Sequence, residues 1–228
     1  MLHLSRLLNA FKRTSDTQML HSRDYWERRY ASGGTSGDGS YGRLAEFKAK
    51  ILNEFVQNHN IVSVIEFGCG DGNQLRLVHY PKYFGLDVSP TIVTHCITTF
   101  SQDPTKSFFL YEPNCFMDNA KVFQADLALS IDVIFHLIEE DVFTKYMLHL
   151  FAAASRYVII YSWGEGASPV TRSWHNRPRD FESFVNTHLP EWKLVNIIRN
   201  MYPYDPKTEE GSLSSFYIYS RDDEQHAG

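Results

Sequence analysis

Three glycines at every second position, Gly68, Gly70 and Gly72, lie in the stretch IEFGCGDGN (residues 65–73), with Glu66 before them and Asp71 among them. Glycine lacks a Cβ, so such a loop can bring its own backbone close to a ligand. A turn built for a dinucleotide pyrophosphate reads Gly-x-Gly-x-x-Gly as it opens a helix after a strand. Here the third required position holds Asn73. The loop is a ligand seat whose ligand has to be decided by its acids.

Two other clusters carry chemistry. Asp132 and His136 stand one helical turn apart, so a turn there puts them on one face. In that place a histidine acts as a base or orients an acceptor. The plainer reading is a loop hydrogen bond for His136 and a cap for Asp132. The segment RSWHNRPRDF carries Arg172, His175, Arg177 and Arg179. Guanidinium groups bind carboxylate, phosphate or phosphonate bidentately, which suits an anionic acceptor. Its plainer reading is a solvated, charged helix start.

These groups need elements to position them. SVIEFG (63–68) is a continuous apolar run, as expected of a strand buried on both faces of a parallel sheet. NQLRLVHY follows as a short helix, then KYFGLDVS as a strand ending at Asp87. Ser89 and Pro90 supply N-cap and first-turn residues for a helix through Phe100. KSFFLYE and VFQADLALSIDVIF read as the third and fourth strands. EEDVFTKYMLHLFAAA is a helix and RYVIIYSW the fifth strand. RPRDFESFVNTHL is a helix, with Pro178 a candidate for its start. WKLVNIIRNMY and SLSSFYIYSR follow with no helix between them, which predicts a terminal hairpin. Five βα-type units and a hairpin make an α/β fold: a three-layer Rossmann-like sandwich around a seven-stranded, mostly parallel sheet with an antiparallel terminal hairpin.

The pattern Glu66-x-Gly68-x-Gly70-x-Gly72 in this context resembles motif I of the class I S-adenosylmethionine-dependent methyltransferases. The region from Val62 to Ser220 can be laid on the order of that family, hairpin included. The resemblance implies S-adenosylmethionine as cofactor, held by Glu66, Gly68, Gly70, Gly72, Asp87 and Glu112. That cofactor has no phosphate, and a carboxylate that would repel a pyrophosphate attracts an ammonium. Glu66 is then expected to face the cofactor's ammonium and Asp87 its ribose hydroxyls. Glu112 falls near the adenine edge on a looser alignment.

The resemblance also implies methyl transfer to a small metabolite, most readily at oxygen, and the Arg/His cluster points to an anionic one. A phosphonate, a saccharide or a carboxylate-bearing natural product fits, and a phosphonate O-methyltransferase family shares the layout. His136 and Asp132 are the catalytic candidates; Tyr41, Arg43, His175, Arg177 and Arg179 are the acceptor-binding ones. In small-molecule members, the segment before motif I often forms a lid. Residues 1–60 are accordingly expected to be a helical lid segment packed on the core of residues 61–228. Tyr25, Trp26 and Tyr30 of that segment could equally pack against the sheet helices. A protein or RNA methyltransferase, a non-catalytic cofactor-binding relative and a dinucleotide oxidoreductase are the alternatives. Neither a DPPY-like motif nor a Pro-Cys nucleophile is present, which weighs against DNA as acceptor.

Composition bounds the rest. The chain has 228 residues, 43% hydrophobic and 21% charged, with a net charge of −5, which fits one soluble globular domain without a broad nucleic-acid footprint. Cys69, Cys96 and Cys115 have no metal-ligand spacing and suit a reducing, cytoplasmic setting; no metal site and no membrane span are expected. The glycine-rich run at residues 33–42 reads as a mobile loop. The N-terminal MLHLSRLLNAFKRTS is acid-poor, faintly like a transit peptide, and reads best as an amphipathic helix with Leu4, Leu7, Leu8 and Phe11 on one stripe.

Overall fold

The computed structural model describes residues 21–164 and 175–221. The expected N-terminal amphipathic helix and Arg172 lie outside these residues. Two helices precede the sheet, α1 (Ser22–Ala31) and α2 (Gly42–Asn58). Apolar residues recur at helical spacing in α2, so Ala45, Leu52, Phe55 and Val56 turn inward and are buried.

The strands are β1 (Val64–Phe67), β2 (Tyr83–Asp87), β3 (Lys106–Leu110), β4 (Ala125–Ile131), β5 (Ala154–Ser162), β6 (Trp192–Ile198) and β7 (Ser215–Arg221). They form one sheet in the order β3-β2-β1-β4-β5-β7-β6. Strands β1 to β5 pair in parallel, and β7 runs antiparallel between β5 and β6. The expected sandwich and terminal hairpin are both present.

Successive residues of a strand face opposite sides, so one sheet serves two cores. On one side Val64, Tyr83, Leu127 and Leu129 meet Leu52 and Phe55 of α2 and Val93 and Cys96 of α3 (Pro90–Thr99). On the other, Ile65, Phe67, Ala128 and Val158 meet Met147, Leu150 and Phe151 of α4 (Glu140–Ala152) and Phe181 and Val185 of α5 (Phe181–His188). Each fully buried Leu, Ile or Phe contributes about 1.5–3 kcal/mol.

Local signals place most boundaries. The Ser89 hydroxyl accepts from the Ile92 N–H at 3.1 Å, with Pro90 in the first turn of α3. Three details depart from the expectation. The link between β1 and β2 carries only a 3-10 turn, Gln74–Leu77. No helix joins β3 to β4; Asp118 accepts the N–H groups of Val122 and Phe123 and turns the chain instead. Helix α5 starts after Asp180, whose carboxylate accepts from the Ser183 N–H at 2.9 Å, and Pro178 lies before it.

The chain winds outward from β1 through β2 to β3, then returns to β4 and winds the other way. That reversal leaves a crevice at the carboxyl ends of β1 and β4. Among the described residues no helix is long and apolar enough to cross a membrane, no cluster of metal-ligating side chains occurs, and the three cysteines are free.

Candidate active site

A cavity of about 510 Å³ opens in that crevice, walled from below by Glu66, Gly68, Gly70 and Asp87. Gly68 follows β1 with φ +86°, and a Cβ there would stand 2.4 Å from Val133 Cγ2. At Gly70 (φ +56°) a Cβ would stand 2.4 Å from Ser36 Oγ. Left-handed backbone and lack of space both disfavour a side chain at these positions. Gly72 packs against Phe100 and is not part of the cavity wall, unlike the expectation that all three glycines line the ligand.

The two acids are buried. Asp87 ends β2 and accepts the N–H groups of Gly70 and Ser89, each at 3.0 Å. Burial pushes its carboxyl up to about 6, with the backbone donors of Ser89, Gly70 and Val88 opposing. An ionised carboxylate has about four acceptor sites, so with three backbone donors in place it still has room for a further one. Burial likewise pushes Glu66 up to about 7, against the Tyr83 hydroxyl that donates to it at 2.7 Å and the nearby charge of Lys48.

Helix α1 and the glycine-rich run form the opposite wall. Trp26, Tyr30 and Ser36 face the cavity, and carboxylates fasten this segment. Glu27 accepts from the Ser89 and Thr91 hydroxyls at 2.5 and 2.6 Å. Glu139 accepts from the backbone and hydroxyl of Ser22 at 2.8 and 2.7 Å. Asp71, inside the glycine loop, accepts from the Ser36 N–H and the Tyr41 hydroxyl, both at 2.8 Å, while Ser36 Oγ accepts from the Asp71 N–H. The run expected to be a mobile loop is thus tied to the ligand loop by its own side chains and backbone. Glu112 lines the cavity but pairs with Arg23 of α1.

A second chamber of about 310 Å³ adjoins the first, sharing Trp26, Asp132 and His136 in its wall. His136 follows β4 on a 3-10 turn, Ile134–His136. Its Nδ1 lies 3.3 Å from the carbonyl of His175. A carbonyl only accepts, so the ring proton sits on Nδ1 and the lone pair on Nε2. The Asn176 side chain is also within hydrogen-bonding reach of the ring, and burial pulls the imidazole down to about 4. Trp26 meets the ring edge-on at 4.9 Å. His136 is therefore neutral at pH 7, a weak base held between both cavities.

Asp132 has the left-handed backbone rare for a side-chain-bearing residue, φ +57°. Lys48, 1% exposed at its side chain, donates to it at 2.7 Å; Ser214 Oγ donates at 3.0 Å. Both carboxylate oxygens are engaged, which makes Asp132 a fixed partner of Lys48 rather than an unoccupied base.

The acceptor-binding candidates separate. His175 lines the second chamber, its ring stacked on Tyr25 at 4.4 Å. Tyr41 binds Asp71, and Arg43 pairs with Glu210 at 2.7 Å on the surface; neither lines either of these two cavities. Arg179 is buried and donates to the carbonyls of Leu137 and Glu139 and to Glu140. Arg177 donates to the Ile138 carbonyl at 3.1 Å and lies 3.4 Å from Glu140. The two arginines expected to seize an anionic acceptor clamp residues 137–140 instead, because four consecutive backbone and side-chain acceptors there face them. Arg177 and Arg179 line neither cavity.

Sequence reading missed Lys48, Tyr83, Ser36 and Trp163. Asp71 stood inside the quoted glycine motif and could have been found there. Lys48 sits on an amphipathic helix among ordinary surface lysines, with no local sign of its partner 84 positions away.

The charge of the main cavity decides what it can hold. Among the described residues seven carboxylates line it, Asp24, Glu66, Asp71, Asp87, Glu112, Asp132 and Glu139, against one guanidinium, Arg23, already paired with Glu112. That wall fits a ligand carrying sulfonium and ammonium charge and repels a pyrophosphate.

No protein-family model and no curated protein matches the chain. Solved structures do. The N-methyltransferase NodS from Bradyrhizobium japonicum, in complex with S-adenosylhomocysteine, superposes with a TM-score of 0.65 at 12% identity, over 89% of this chain and 99% of that one. The magnesium protoporphyrin IX methyltransferase ChlM from Synechocystis PCC 6803, with S-adenosylhomocysteine bound, gives 0.59 at 15% identity over 88% and 98%. The methyltransferase domain of a bacterial Hen1 gives 0.61 at 19% identity over 78% and 99%. The fold is that of the class I methyltransferases.

Proposed function

We propose that this chain is an S-adenosylmethionine-dependent methyltransferase acting at a hydroxyl oxygen of a small molecule. The observation that carries the reading is the acidic cavity lined by Gly68 and Gly70, with Glu66 and Asp87 buried in its wall. Glu66 would hold the cofactor's ammonium and Asp87 its ribose hydroxyls, each hydroxyl contact to a carboxylate contributing about 1.5–3 kcal/mol. When bound, the cofactor supplies an electrophilic methyl: sulfur keeps the carbon–sulfur electron pair, the acceptor oxygen gains the methyl, and the hydroxyl proton leaves to a base.

The chain's own groups do the remainder. Positioning is the largest contribution available in an in-line displacement. Trp26 and Tyr30, on a segment bolted by Glu27 and Glu139, exclude water from the space between the two cavities. His136 offers a lone pair on Nε2. A base held near 4 cannot strip a free hydroxyl, but a hydroxyl oxygen accepting a methyl becomes acidic enough to hand over its proton. An amine becomes an ammonium instead, whose proton stays put near such a base. This supports oxygen over nitrogen.

Calorimetry tests the reading. S-adenosylhomocysteine should bind, and Asp87→Ala should weaken it roughly 10- to 150-fold, the equivalent of about 1.5–3 kcal/mol. Absence of binding, or tighter binding of NAD, would overturn it.

A further inference from the structure

We propose that the second chamber binds a flat, uncharged phenolic acceptor with its hydroxyl turned toward His136. This rests on the methyl-transfer reading above and names its acceptor class. Trp26, Phe135, Trp163 and Tyr204 supply walls of the chamber. Beside them the Tyr25 and His175 rings lie stacked within 15° of parallel, and His136 stacks on His175 at 5.8 Å and 21°. A flat aromatic molecule gains offset or edge contact from each such ring, about 0.5–1.5 kcal/mol beyond the area it buries.

The charges speak against an anion. Among the described residues the chamber's guanidinium is Arg29, whose Nε donates to the Thr35 carbonyl at 2.6 Å while its head lies 5.8 Å from the Trp26 ring centre. Asp132 is matched by Lys48. The imidazoles of His136 and His175 are both shifted toward the neutral form by burial. A saccharide fits poorly for another reason. It would bury a hydroxyl at nearly every carbon, and an unsatisfied one costs about 1–3 kcal/mol. Three of the wall's four serines are already engaged: Ser36 with Asp71, Ser214 with Asp132, and Ser212 with the Ser214 N–H. A single phenolic hydroxyl needs one acceptor, and His136 borders both cavities.

The probe is 2-naphthol, fluorescent and uncharged at pH 7, because a phenol ordinarily ionises near about 10. It is titrated into the chain saturated with S-adenosylhomocysteine, alongside 2-naphthoate as an anion and methyl glucoside as a saccharide. We expect 2-naphthol to bind at least about tenfold more tightly than either. Phe135→Ala and Tyr204→Ala should each weaken it by about three- to tenfold, in line with one lost aromatic contact, and leave S-adenosylhomocysteine affinity unchanged. Tighter naphthoate or glucoside binding, or 2-naphthol binding indifferent to both substitutions, overturns the proposal. If S-adenosylhomocysteine fails to bind while Phe135-dependent 2-naphthol binding persists, methyl transfer falls and the chamber's ligand class stands.

Discussion

Glu66→Gln should make the protein more stable and bind its cofactor less well. The Glu66 carboxyl ordinarily ionises at 4.5 and is pushed up to about 7 in the fold by burial. Because the folded value is the higher one, the carboxyl's contribution is fully present below 4.5 and is lost as pH rises through about 7. Each tenfold change in proton affinity is worth about 1.4 kcal/mol. At pH 8 the ionised carboxylate therefore costs the free protein about 3 kcal/mol, as an order of magnitude. Glutamine keeps the shape and can still accept from Tyr83, without the buried charge. Urea denaturation of both chains from pH 4.5 to 8 should show nearly equal stabilities at the acid end, an advantage for Glu66→Gln that grows between about pH 5 and about pH 7, and a constant advantage above that. Calorimetry should show the opposite for binding: affinity of the wild-type chain for S-adenosylhomocysteine rises toward pH 7, and the substituted chain loses most of that rise. Asp87, held near 6, leaves a smaller pH dependence in both chains. A stability difference that does not change with pH would refute the account of Glu66 as a buried acid held ready for a cation.

Two further outcomes follow from the same geometry. Lys48→Met should destabilise the fold by about 1–3 kcal/mol, since it removes the cation from the part-buried Asp132 carboxylate and leaves it the Ser214 hydroxyl; pairing it with Asp132→Asn should recover much of the loss in urea melts, and no recovery would show that the pair is not the cause. Gly68→Ala should abolish cofactor binding and cost about 2–4 kcal/mol, from left-handed backbone and the clash with Val133, and Val133→Ala in the same chain should relieve the clash alone.

Much of the fold was legible because its signals are local. The apolar run of β1 announces a strand buried on both faces, Ser89 and Pro90 announce α3, and the absence of a helix between β6 and β7 announces the hairpin. The missed details have local causes too weak to win against neighbours. The stretch NQLRLVHY has one turn's worth of helical pattern before β2 claims the chain, and it closes only a 3-10 turn.

The floor of the site was determined by the sequence itself. Motif I sets glycine where the backbone is left-handed and puts Glu66 in β1, while Asp87 closes the next strand in the chain, so the local pattern already marks both acids. The walls were decided by tertiary structure. Whether a guanidinium meets a ligand or a carbonyl depends on which orphan acceptors come near it, and residues 137–140 reached Arg177 and Arg179 first. Lys48 became the partner of Asp132 only because α2 packs on the same core as β4. Charge and burial act through space over a few ångströms, and sequence distance carries no record of which groups folding brings that close.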